Sequence, residues 1–191
     1  MVRRTVCGIT TALLVLILLT GCGGPPRVQT TFLGSVDLID MTNQMAQSFA
    51  RDEAISARRA TDEPWVISIY RVVNHTNQVI PERERWLYIG RMRSLLAQSD
   101  IATQRRLIWI VPPERWPAIA RELGEANEPP GLRMNPTHLL TAEFNTLTTT
   151  SARGRSDMYV CSYQLVDLAT GLLVWEDSWE VKRSVTGLTF D

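Results

Sequence analysis

An α+β domain is the fold that this chain predicts: a small mixed sheet with crossover helices, followed by a C-terminal antiparallel meander. Two short apolar runs, Trp65–Val73 and Leu107–Val111, alternate with segments of helical period, as strands joined by crossover helices do. Three longer segments, Thr137–Thr148, Asp157–Val166 and Leu172–Arg183, carry strand patterns without helices between them. The last two are separated only by Asp167-Leu168-Ala169-Thr170-Gly171, a hairpin signal in which Gly171 supplies the positive φ that such loops need.

The N-terminus comes first in the chain and sets its context. Arg3 and Arg4 precede the apolar run Ile9–Leu19, which is too short to span a bilayer but suits a secretory signal peptide. Leu19-Thr20-Gly21-Cys22 resembles a bacterial lipobox. Cleavage between Gly21 and Cys22, diacylation of the Cys22 thiol and acylation of the new N-terminus, as with palmitate, are the expected processing steps. Three acyl chains anchor far better than one, whose binding is marginal. Gly23 and Gly24 lack the aspartate that retains lipoproteins at the inner membrane, which directs the expectation to the outer membrane, with the domain facing the periplasm.

Three regions are expected: a signal peptide over 1–21, the lipidated cysteine and a flexible tether over 22–35, and the α+β domain over 36–191. The mature chain keeps 18 basic against 20 acidic residues, a net charge of −2, so nothing in its balance favours nucleic acid. Cys161 is left without an intramolecular thiol partner, so no disulfide framework is expected, and its place in an apolar strand makes it a small core residue.

The elements then follow in order. Gly23-Gly24-Pro25-Pro26 opens the tether. Leu38, Met41, Met45 and Phe49 mark one face of a helix over Asp37–Arg51, with Asp37 placed to cap it. Pro64 closes the charged stretch after Arg51. Trp65–Val73 is apolar on both faces, hence central in a sheet, and Asn74-His75-Thr76-Asn77 turns after it. Pro81 opens a helix whose stripe is Trp86, Ile89, Met92 and Leu96. Pro112-Pro113 ends the second strand, and a third helix over Glu114–Glu125 turns Trp116, Ile119 and Leu123 inward. Gly124–Pro136 reads as a loop, and Thr148–Ser151 with Arg153 and Arg155 as a polar loop tip. Tyr159, Cys161, Tyr163 and Leu165 share one face; Leu173, Trp175, Trp179 and Val181 share another.

The sequence holds no catalytic constellation. Its two histidines, His75 and His138, stand at no ligand spacing, and there is no His-Glu-x-x-His, Cys-x-x-Cys, Gly-x-Ser-x-Gly or phosphate loop. No metal, cofactor or enzymatic activity is expected. Glu176 and Asp177 are adjacent on a strand and so point to opposite faces, which excludes a carboxylate pair. Asp177, in phase with Trp175 and Trp179, reads either as an edge charge that blocks aggregation or as part of a face open to a partner.

Three stretches together resemble the LpoB family of outer-membrane lipoprotein activators of penicillin-binding proteins. Val72-Val73-Asn74-His75-Thr76 is similar to the family's turn after the first strand, and Thr137–Glu143 to its later strand entry. Tyr163–Glu176 is similar to "L-x-L-x-D-x-x-T-G-x-I-V-W-E", with Asp167, Gly171 and Trp175 at the fixed positions. TolB-like and CsgG-like envelope domains share that hairpin. The resemblance spans about Ser35–Val185 and implies a domain like the TolB N-terminal domain, a binding module and not an enzyme. It also implies a partner, a class A penicillin-binding protein, whose peptidoglycan synthesis the lipoprotein regulates. The alternative is a lipoprotein component of an envelope assembly or secretion complex. The family's best-known members use a long tether; Gly23–Gly34 here reaches only ~40 Å at ~3.4 Å per residue.

Overall fold

The computed structural model describes residues 30–122 and 134–186, without the side chains of 118 and 119. The signal peptide, Gly21, Cys22, the start of the tether, Leu123 and most of the 124–136 loop lie outside the described residues. The compact unit that carries the fold begins at Thr31.

The sheet has five strands in the order β2-β1-β3-β4-β5. Strand β1 (Trp65–His75) pairs in parallel with β2 (Leu107–Ile110) on one side and β3 (His138–Ser151) on the other. Strands β3, β4 (Gly154–Asp167) and β5 (Leu173–Thr186) form the antiparallel meander. The expected α+β architecture is therefore present. Helix α1 (Ser35–Arg51) packs on β5 and on α3 (Glu82–Ala97), which in turn packs on β1. Short helices α2 (Glu53–Ser56), α4 (Asp100–Gln104) and α5 (Trp116–Glu122) complete the chain, with one 3-10 turn at Pro113–Arg115.

Apolar burial follows the period of each element. Met41, Met45 and Phe49 of α1 and Ile89, Met92 and Leu96 of α3 meet Ile67, Leu140, Phe144, Tyr159, Cys161, Tyr163 and Leu165 from the sheet. Phe49 meets Trp175 edge-on at 5.2 Å, and Tyr88 meets Phe144 at 5.0 Å, which are favourable aromatic arrangements. Cys161 is fully buried here, and burial, with a lesser push from Asp37, raises its thiol to about 12. It is a core residue.

Several expectations are corrected. Thr31 and Leu33, read as tether, are buried in the domain, so the folded unit starts before residue 36. Asp37 is not the residue that precedes α1. It stands at the third helical position and accepts from the Gly34 N–H at 2.9 Å, while its other oxygen pairs with Arg183 of β5. Asn74 and His75 belong to β1, and the turn begins after them. Trp86 is half-buried under Arg115, 4.2 Å above its ring. Leu173 leaves the face of Trp175 and is 48% exposed, because a register shift sets Val166 opposite Leu173 and Leu165 opposite Trp175. Thr148–Ser151 and Arg155 are strand residues; the turn is Ala152-Arg153 alone.

Candidate functional site

The β4–β5 hairpin is built by one carboxylate. Asp167 Oδ1 accepts from the N–H of Ala169 at 2.7 Å and of Thr170 at 3.3 Å, the side-chain turn that aspartate forms readily. The Ala169 bond foremost, with the Thr170 bonds, holds its carboxyl below the ordinary range against the opposing push of desolvation. The Gly171 N–H donates to Asp167 O at 2.8 Å, and Gly171 takes a φ of 72°. The Leu172 N–H donates to Thr170 Oγ1 at 3.2 Å, so Asp, Thr and Gly each have a physical task in Asp167–Gly171. Trp175 is buried just beyond it and ties β5 to α1 through Phe49. The tip carries Leu168, Leu172 and Leu173 in the open on a tightly bonded turn.

The same end of the sheet holds a stack that the sequence did not disclose. The Arg58 guanidinium lies 4.2 Å above the Trp65 ring, and Trp65 lies 4.2 Å from the His138 ring. His138 opposes Asp167 across the β3–β4 ladder and shares a 2.8 Å hydrogen bond through Nδ1 with Thr137 Oγ1. Burial lowers its pKa, only partly offset by Asp167 and reinforced by Arg58, so the ring is favoured in its neutral form. No sequence signal links Arg58 to Trp65 and His138, because the three join only when β1 and β3 pair.

The opposite end has a second polar cluster. Asp157, wholly buried, accepts from Thr31 Oγ1 at 2.5 Å and Thr148 Oγ1 at 2.6 Å, and Arg155 pairs with it at 3.0 Å. Ten residues of β4 separate Asp157 from Asp167, or ~33 Å at ~3.3 Å per residue. The chain thus enters the domain beside Asp157, and the leucine-bearing hairpin lies at the far end.

Of the remaining residues singled out by sequence, those of the turn after β1 adjoin the Asp157 cluster, since Asn77 Nδ2 donates to Thr148 Oγ1 at 3.2 Å. His75 is exposed at the end of β1. Asn74 Oδ1 accepts from the Thr76 N–H at 3.1 Å and the Thr76 hydroxyl at 2.7 Å, which accounts for the Asn-x-Thr pattern. Glu176 accepts from Gln164 Nε2 at 2.7 Å on the exposed face, whereas Asp177 is half-buried and accepts from the Ser178 N–H at 2.8 Å. Among the described residues, no group of three or more histidine, cysteine or carboxylate side chains is placed to hold a metal ion. No described helix is long and apolar enough to cross a membrane.

No family model matches this sequence, and no curated protein matches it. Solved structures with a similar fold include the LpoB C-terminal domain from Salmonella enterica, at 12% identity and a TM-score of 0.42, covering 76% of this chain and 98% of that one. The LpoB C-terminal domain from Escherichia coli is similar at 13% identity and a TM-score of 0.41, over 76% and 98% of the two chains. Lipoprotein GNA1162 from Neisseria meningitidis is similar at 14% identity and a TM-score of 0.39, over 63% and 84%. At these values none of them transfers a partner, an activity or a family name to this chain.

Proposed function

We propose that this chain is a lipid-anchored binding module of the outer membrane, held through Cys22, with its domain in the periplasm and no catalysis of its own. Its task in this reading is to regulate a peptidoglycan synthase of the class A penicillin-binding type. The observation that carries the reading is the Tyr163–Glu176 motif. Its Asp167 and Gly171 shape a bonded hairpin that presents leucines, and its Trp175 anchors that hairpin to the core.

One observation favours a second reading. The compact unit starts at Thr31, so between a lipidated Cys22 and that unit the chain has only the eight residues Gly23–Thr30, a contour of at most ~27 Å at ~3.4 Å each. A partner held close to the outer membrane, in an assembly or secretion complex, suits that reach.

The anchor is tested by fatty-acid labelling in cells. The wild-type chain is expected to take up label and fractionate with the outer membrane, and Cys22→Ala to lose both. Continued labelling of Cys22→Ala would rule out the anchor.

A further inference from the structure

Strand β5 is the long open edge of the sheet. Among the described residues it is bonded only to β4, along 14 residues, whereas the other edge, β2, has four. The hydrogen-bonding phase decides which of its groups are open. The Asp167 N–H donates across the hairpin to Leu172 O, so the odd-numbered residues of β4 turn their backbone groups toward β5. Leu165 opposes Trp175, Tyr163 opposes Asp177 and Cys161 opposes Trp179, so odd residues of β5 take those bonds. Its even residues, Glu176 to Ser184, present their N–H and C=O groups to the open side. Ser178 fits this phase, since its N–H is met by the Asp177 carboxylate and not by the ladder. Asp177 therefore covers the edge at one point, the blocking role that edge charges serve. Beyond it, from Glu180 to Ser184, no described side chain covers the edge.

We propose that this open half of β5 pairs with β5 of a second copy of the chain, antiparallel and centred on Val181. Charge selects the occupant and the register. Centring on Val181 sets Glu180 of each copy opposite Lys182 of the other, twice, at positions whose backbone groups are the open ones. Both side chains are exposed on the sheet face that carries Glu176 and Ser178, opposite the buried Trp175 and Trp179. Centring on residue 180 opposes two glutamates, and centring on 182 opposes two lysines. Centring on Trp179 makes the covered Ser178 N–H part of the innermost pair. Centring on Arg183 leaves Glu180 and Lys182 without an opposite charge.

The test is a crosslink at the symmetry axis in the full chain. In the proposed register Val181 meets its own copy at a non-hydrogen-bonded site, with Cα atoms ~4.5 Å apart, a spacing a disulfide spans. Mild oxidation of the Val181→Cys chain is expected to give a disulfide-linked dimer that the chain with Val181 intact does not give, which separates it from any link through Cys7 or Cys22; Cys161 does not compete, being fully buried. Adding Glu180→Lys or Lys182→Glu to that chain is expected to lower the dimer yield about tenfold by setting like charges opposite each other. The double exchange Glu180→Lys with Lys182→Glu restores the yield, and mixing the two single-charge variants gives the mixed dimer. Each variant should keep the melting temperature of the parent, because both side chains are exposed. Absence of a linked dimer, or a dimer yield indifferent to these charges, would overturn the proposal.

Discussion

Gly154→Ala is expected to destabilise the domain by about 3 kcal/mol or more, from backbone strain and overpacking together. Gly154 opens β4 with a φ of 154°. A Cβ at this position would lie 2.1 Å from Val185 O and 3.0 Å from the Thr186 Cα. Both are backbone atoms of the paired strand, so neither can swing aside as a side chain would. Relief would require parting β4 from β5 at the end where Gly154 opposes Thr186. Gly171 provides the contrast. It has a φ of 72°, and a Cβ added there would meet open space, so Gly171→Ala incurs only the left-handed backbone penalty of ~1–2 kcal/mol. Urea denaturation of both variants measures the difference. An unchanged midpoint for Gly154→Ala would mean that the far end of the β4–β5 ladder is drawn wrongly.

Asp157→Ala is expected to cost about 3 kcal/mol at neutral pH, since it strips a buried ion pair of one partner. Arg155 would lose the carboxylate it pairs with in a largely buried place, and Thr31 and Thr148 would lose this acceptor. The pH dependence has a definite sign. Burial pushes the Asp157 carboxyl upward, but hydrogen bonds from Thr148, Thr31 and Arg155 and the Arg155 charge outweigh it, and the net shift is downward. A carboxyl depressed in the folded state adds stability above its unfolded value, ~3.9, and that contribution is lost as pH falls through the folded value. The wild-type domain should therefore lose stability below about pH 4 more steeply than Asp157→Asn. Parallel pH profiles for the two would contradict this assignment.

Local pattern and long-range pairing divide what could be read beforehand. The alternation of Tyr159, Cys161, Tyr163 and Leu165 disclosed a buried strand face, and every one of them is fully buried. Asp167–Gly171 disclosed a turn because its chemistry is local: carboxylate, N–H and positive φ lie within five residues. Thr31 could not be read in the same way. It sits in a polar, tether-like stretch, and the Asp157 that holds it is 126 residues away. Gly154 carries no local signal because its constraint comes from Val185 across the sheet, not from its own turn. Leu173 fell out of phase with Trp175 because a register shift is a property of the paired strands. The Arg58–Trp65–His138 stack likewise exists only once β1 and β3 are side by side.

Glycan polymerisation with purified components decides whether this chain is a non-catalytic module that regulates a peptidoglycan synthase. A class A penicillin-binding protein from the same organism is assayed on its lipid-linked substrate, alone and with this chain added in equal amount. The expected result is a faster synthase in the presence of the chain, direct binding between the two, and no turnover of substrate by the chain alone. An unchanged rate without binding, or turnover by the chain in the absence of the synthase, would refute the proposed function.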